Sequence, residues 1–175
     1  VCNHVSYMDA LILAASTPRP VRFVMYHRIF EIPVLRWIFR TARAIPIAPE
    51  KEDPALMQRA FDEIDRTLAE GELVAIFPEG RLTADGGIAP FRRGIERIVE
   101  RAAGRGQQIP VVPMALRNMW ASMWSRRGAG GPGRMRLPRR LRARIGVAAG
   151  PPVTGTEATA ATLETRVREL RGDHP

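Results

Sequence analysis

A chain of 175 residues with 45% hydrophobic and 26% charged residues has the make-up of one ordinary globular domain, which excludes a disordered segment and a bundle of membrane spans. Its net charge of +9 is carried almost wholly by arginine, since Lys51 is the only lysine; arginine grips phosphate bidentately, so the excess suits nucleic acid, an anionic membrane surface or a phosphorylated small molecule alike. A lone cysteine, Cys2, excludes an internal disulfide and a thiolate metal cluster.

The chain opens on what reads as the end of a strand, Val1-Cys2, so it is expected to be an N-terminally truncated piece of a longer polypeptide. Asn3 and His4 follow, and Asp9 stands five places after the histidine across a link containing Ser6. A neutral imidazole can take a hydroxyl proton, and a carboxylate on its other nitrogen fixes the tautomer and stabilises the imidazolium. The plainer reading stays open: Ser6 caps a helix from Tyr7 onward, Asp9 lies in its first turn, and His4 is incidental.

That helix is expected over Ser6 to Ala15, ended by Thr17-Pro18-Arg19-Pro20. Val21 to Tyr26 has the length and apolarity of a buried strand. Arg28 to Arg40 is apolar nearly all round, broken by Pro33 and edged with arginine. It suits either a core helix or a segment facing acyl chains or a bilayer surface. Ala42 to Ala48 reads as a second strand. Asp53 and Pro54 then start an amphipathic helix that carries Leu56, Ala60, Ile64 and Leu68 on one stripe and stops at Gly71.

A strand is expected over Leu73 to Phe77, a helix over Arg92 to Ala103, and a strand over Pro110 to Leu116 whose two prolines belong at its start or at a bulge. A short helix from Met119 to Arg126 places Trp120 and Trp124 one turn apart beside Arg126 and Arg127, a pattern that fits an interfacial helix or a buried pair. Residues 128–133 read as a flexible loop, Arg142 to Ala148 as a strand, and Thr156 to Arg171 as the closing helix. Alternating strands and helices, with several strands wholly apolar, give an α/β fold with a mixed, largely parallel sheet flanked by helices.

A second polar constellation follows the third strand: Phe77-Pro78-Glu79-Gly80-Arg81. Ligands collect at the C-terminal edge of strands in open α/β folds. There Arg81 can hold a phosphate, Glu79 can accept from a hydroxyl or position the arginine, and Gly80 leaves room for a ligand. A charged turn with no ligand fits the same residues.

Three blocks, in this order, resemble those of the glycerolipid (lysophospholipid) acyltransferase family. They are Asn3-His4-Val5-Ser6-Tyr7-Met8-Asp9, Phe77-Pro78-Glu79-Gly80 and Ile109-Pro110-Val111-Val112-Pro113. More narrowly, Arg43 to Ala48, Phe91-Arg92 with Gly94-Ile95, and Leu116 to Trp120 with Ser122 are similar to the acyltransferase module of bacterial inner-membrane fusion proteins. Those proteins join a lysophospholipid transporter and an acyl-activating enzyme to this module.

The resemblance implies a glycerol-3-phosphate acyltransferase-like single domain over residues 1–175. It implies transfer of an acyl group from a thioester of acyl carrier protein or coenzyme A to a free hydroxyl of a lysophospholipid or 1-acylglycerol-3-phosphate, with no cofactor and no metal. His4 would be the base and Asp9 its orienting partner. Glu79, Gly80, Arg81, Lys51 and Arg28 would serve the substrate, while Asn3, Ser6, Phe77, Pro78 and Pro113 shape the pocket. The implied setting is an anionic membrane surface, at the cytoplasmic face of a bacterial inner membrane, with no nucleic acid as partner.

Three departures bear on the headgroup. The family's Phe-Pro-Glu-Gly block usually continues with a small residue and then arginine, whereas here Arg81 comes one place early and Leu82 follows. Pro49-Glu50-Lys51 stands where Asp-Arg is usual, and Tyr26 where a lysine is common. The rival readings are a basic binding module without catalysis, a thioesterase, and a metal hydrolase. Scattered arginines argue against the first, and the lack of a second histidine at ligand spacing argues against the last; His27 is expected to be solvated or hydrogen-bonded.

Overall fold

Asp53 starts the longest helix as the sequence requires. In the computed structural model, which describes residues 1–6, 8–120 and 144–172, its carboxylate accepts the Leu56 N–H at 2.8 Å. Helix α3 then runs Pro54–Ala69, and Gly71, at φ +74°, lets the chain turn away. The elements before it are α1 (Asp9–Ser16), β1 (Val21–Tyr26), a 3-10 turn (His27–Glu31), α2 (Pro33–Thr41) and β2 (Ile45–Ile47). After it come β3 (Leu73–Ala75), α4 (Gly94–Ala103), β4 (Met114–Arg117), β5 (Gly146–Ala149), a 3-10 turn (Gly155–Glu157) and α5 (Ala160–Arg171).

The chain divides into two compact units, residues 1–16, 77–96 and 110–175 in one, residues 17–76 and 97–109 in the other. In the second of these, three parallel strands lie in the order β2-β1-β3, with Val24 beside Ile45 and Val21 beside Leu73. Each crossover carries a helix, which is what a parallel pair demands. The stripe of α3 meets this sheet: Ile64 and Ala60 pack with Phe61, Ile45 and Ile98, all buried. Arg22 is the polar exception on β1, only 9% exposed. Its guanidinium donates to the Arg43 carbonyl (2.8 Å), the Thr67 hydroxyl (2.6 Å) and the Glu63 carboxylate (2.6 Å).

The other unit is built on an antiparallel pair, β4 with β5, in which Met114 faces Ala149. Leu163 and Val167 of α5 are buried, as are Ala115 and Leu116 of β4. Cys2 adds a parallel bridge to Met114. Asn3 extends that pairing with its side chain, accepting the Leu116 N–H (2.8 Å) and donating to the Leu116 carbonyl (3.2 Å). Its amide behaves as one more peptide of the strand, so Asn3 ties the chain start to β4.

The expected mixed, largely parallel α/β class is the one found. Boundaries shift for physical reasons. The strand expected from Pro110 begins only at Met114, since neither Pro110 nor Pro113 has an N–H to give, and Val111 makes just an isolated bridge with Val153. The strand expected to reach Phe77 ends at Ala75, short of Pro78. The last helix starts at Ala160 because Thr159 caps it, accepting from the Thr162 N–H at 3.1 Å. Ser6 does not start α1, which begins at Asp9. Met119 is fully buried. Trp124, Arg126, Arg127 and the loop expected at 128–133 lie outside the described residues.

Arg22→Ala should lower unfolding free energy by about 3 kcal/mol, because it leaves Glu63 and Thr67 without their buried donor. Chemical denaturation measures this; a change within about 0.5 kcal/mol, the size of an ordinary surface substitution, would show the network to be idle.

Candidate active site

Asp9 is the first residue of α1, and its carboxylate folds back over the residues just before it. One oxygen, Oδ2, accepts the Val5 N–H at 2.6 Å and the Ser6 N–H at 2.9 Å. The same oxygen lies 2.8 Å from His4 Nδ1. The five-residue spacing is therefore one tight loop around a single oxygen. Asp9 is completely buried, whereas the His4 side chain keeps 22% exposure. A hydrogen on Nδ1 is what this pairing requires, which leaves Nε2 as the ring's acceptor nitrogen.

His4 is fixed from three further directions. Phe77 stacks on the imidazole, ring centres 4.2 Å apart and planes 17° from parallel. The His4 N–H donates to Glu79 Oε1 at 2.7 Å, and the His4 carbonyl accepts the Thr83 N–H at 3.0 Å. Glu79 Oε2 accepts the Ala89 N–H at 2.8 Å, so both of its oxygens are engaged with backbone. It is 2% exposed, and burial holds its carboxyl above the usual carboxylate range although the two amide donors pull the other way. The sequence had offered hydroxyl acceptance or arginine positioning for Glu79; in the structure it ties the His4 segment to residue 89.

The turn between them closes with the Gly80 N–H on the Phe77 carbonyl at 3.0 Å. Gly80 has φ +65°, and a Cβ there would come within 2.9 Å of the Arg92 guanidinium carbon. The glycine thus makes room for Arg92, whose N–H donates to the Pro78 carbonyl at 2.9 Å. Arg81 and Arg92 are both exposed, and among the described residues neither has a carboxylate within ion-pair distance. Arg92 is the residue that reading the blocks in isolation missed. Its signal was present in Phe91-Arg92 with Gly94, but a contact across a twelve-residue gap is invisible to spacing.

Ser6 is buried, and its hydroxyl accepts the Met8 N–H at 3.1 Å. Pro113 is buried ahead of β4, its carbonyl accepting from the Gly150 N–H at 2.9 Å. The structure therefore brings together His4, Ser6, Asp9, Phe77, Pro78, Glu79, Gly80 and Arg81 within one unit, with Asn3 and Pro113 in the same unit. Arg28 and Lys51 belong to the other. There Glu52 gathers His27 Nε2 (3.0 Å), the Tyr26 hydroxyl (2.9 Å) and Arg28 (2.7 Å). Those contacts, that from His27 first, hold its carboxyl down at about 2. His27 is thus hydrogen-bonded, as expected, and Lys51 is exposed.

Residues 1–117, two thirds of the chain, match the family described as Acyltransferase. The chain belongs to that family. A chloroplastic 1-acyl-sn-glycerol-3-phosphate acyltransferase of Brassica napus is 29% identical over 116 residues, 66% of this chain and 31% of the relative. A lyso-ornithine lipid O-acyltransferase of Rhizobium meliloti is 34% identical over 84 residues, 48% of this chain and 27% of the relative. The chain thus spans about a third of the length of the curated relatives it matches. The crystal structure of the 1-acyl-sn-glycerophosphate acyltransferase PlsC from Thermotoga maritima shares the fold of this acyltransferase chain. Its TM-score is 0.62 at 20% identity, covering 96% of this chain and 62% of that one.

Gly80→Ala should destabilise the acyltransferase chain by about 1–2 kcal/mol, the cost of a left-handed backbone for an L side chain, and displace Arg92. Thermal unfolding and a crystal structure of the variant check both; an unmoved Arg92 would contradict the packing described.

Proposed function

We propose that this acyltransferase transfers an acyl group from a thioester to the free hydroxyl of a phosphate-bearing lysophospholipid or acylglycerol phosphate, with His4 as general base. The observation that carries the reading is the 2.8 Å contact between His4 Nδ1 and buried Asp9, which leaves Nε2 as the ring's proton-accepting nitrogen. The hydroxyl proton passes to Nε2 as the hydroxyl oxygen forms its bond to the thioester carbonyl carbon. The tetrahedral intermediate then collapses, the carbon–sulfur bond breaks, and the imidazolium returns the proton to the departing thiolate. An ester and a free thiol result, so the protein ends as it began. Acyl carrier protein and coenzyme A present the same thioester and are equally served by this chemistry.

Acceptor recognition falls to Arg81 and Arg92, the two exposed guanidinium groups flanking Gly80. A phosphate accepts from such groups more strongly than an uncharged headgroup does, which supports a phosphate-bearing acceptor. Glu79 works at one remove, holding the His4 main chain by its N–H. Asp9 positions the ring. The acceptor resides in lipid, so the enzyme would work against a membrane, which we assign to the cytoplasmic face of a bacterial inner membrane.

Incubating the chain with labelled acyl thioester and a panel of lysolipids, followed by lipid separation, tests the reading. His4→Ala should reduce transfer by about 10²–10⁴-fold and Asp9→Asn should reduce it strongly too, with both variants folded; near-normal turnover of His4→Ala would remove the mechanism. Arg92→Ala and Arg81→Ala should raise the acceptor KM about 10-fold or more, as expected for a lost charge-assisted contact, and leave the thioester KM alone. Glu79→Gln should instead lower kcat with little change in acceptor KM, because an amide offers one acceptor oxygen where two N–H groups need one each. A rise confined to the acceptor KM would make Glu79 a headgroup ligand.

A further inference from the structure

Helix α2 is short, amphipathic and turned outward. Phe39, half-buried, meets Phe30 of the preceding 3-10 turn with ring centres 5.5 Å apart, which anchors one side of the helix. The other side stays in water: Trp37 is 72% exposed and Ile38 40%, with Ile32 just before the helix at 49%. Among the large hydrophobic side chains whose exposure the structure describes, Trp37 is the most exposed. Arg36 and Arg40 stand four apart, hence in one row along the helix next to Trp37, and both are exposed. Among the described residues neither has a carboxylate within ion-pair distance. Glu31 is the only acidic residue between Arg28 and Thr41, and Arg28 is already paired with Glu52.

We infer that this face of α2 is a docking surface for an anionic bilayer. An indole and an isoleucine that water surrounds gain from entering the headgroup boundary, and guanidinium groups beside them meet lipid phosphate at the same depth. A protein partner would ask for apolar surface with fewer charges at its centre, whereas arginines running beside the tryptophan, on a chain of net charge +9, complement a negatively charged lipid surface. Trp120, the other described tryptophan, is half-buried and has its ring against Gly86, where a Cβ would come within 2.8 Å of it, so it offers less of itself to a surface than Trp37 does. The inference rests on the proposed lipid acceptor for its purpose, though not for its geometry.

The test is co-sedimentation of the full chain with vesicles of phosphatidylcholine alone and of phosphatidylcholine mixed with phosphatidylglycerol. Binding should require the anionic lipid, fall as salt rises, and come with a blue shift in tryptophan emission that Trp37→Phe removes in large part. Arg36→Ala with Arg40→Ala should weaken binding about 25-fold, about fivefold for each arginine, and Trp37→Ser should weaken it by a comparable factor. All these variants should keep their circular dichroism and their transfer to a short-chain acceptor dissolved as monomers. Failure of the chain to bind anionic vesicles at low salt, or unchanged binding by both variants, overturns the inference. So does self-association that Trp37→Ser abolishes, which would assign the face to a second copy. Vesicle binding that depends on α2 without transfer to any acceptor would instead refute the proposed enzymatic reading and leave the docking surface standing.

Discussion

One carboxylate oxygen, Asp9 Oδ2, receives two backbone N–H groups and the His4 ring, and the arrangement of the site depends on it. With Asp9 at the start of α1, the backbone dipoles of the helix favour the negative charge placed there. The two amides fix the carboxylate against the loop independently of the imidazole. His4 therefore meets a partner whose position is set by main chain rather than by another rotamer. Moving the carboxylate one position along the chain would carry it around the helix by about 100° and away from those amides, which is why spacing matters as much as residue type.

Glu79 raises the opposite question, since it is a carboxylate kept where charge is disfavoured. Its burial is tolerable because each oxygen meets a backbone N–H. Those two N–H groups belong to segments far apart in sequence, at residues 4 and 89, so one side chain sets the distance between them. Glutamine has the same shape yet offers one acceptor, and aspartate lacks the reach. The Phe77 ring completes the hold on His4 from within the same turn. A histidine held through its main chain, its Nδ1 and its ring face has few rotamers left to lose when a ligand is bound.

How much of this was legible in the sequence depends on how local each feature is. The cap and stop of α3, Asp53 and Gly71, were readable because capping acts within four residues. Strand β1 was readable because its ends coincide with Pro20 and with a change to polar residues after Tyr26. The His4–Asp9 pair was legible in residue type and spacing, but a serine cap fits the same pattern, and only the folded-back carboxylate separates the two. By contrast, the His4 amide on Glu79, the Asn3 amide acting as part of a strand, and Arg22 on Thr67 join residues from 45 to 113 positions apart. No period or spacing encodes such contacts. The apolar segment around α2 was ambiguous for a different reason: sequence shows that a helix has an apolar side, not whether anything is packed against it.

The positive charge at the Gly80 turn shows the same distinction between chain order and space. By sequence, the turn after β3 lacks the arginine that the resembling blocks usually carry two places after Gly80, and Leu82 stands there instead, partly buried. In space, a guanidinium lies against that turn all the same, because Arg92 crosses Gly80 where the absent Cβ leaves a gap. The Arg92 N–H on the Pro78 carbonyl fixes its backbone to the turn, so the side chain's proximity follows from a tether and not from chance extension into solvent. A leucine at position 82 can then serve packing while positive charge reaches the turn from another segment. Arginine has the length for this, and its planar fork can lie flat on a glycine while presenting edges to a ligand. Gly80 consequently has two duties in one position, a left-handed backbone that turns Glu79 inward and an open face on which Arg92 rests.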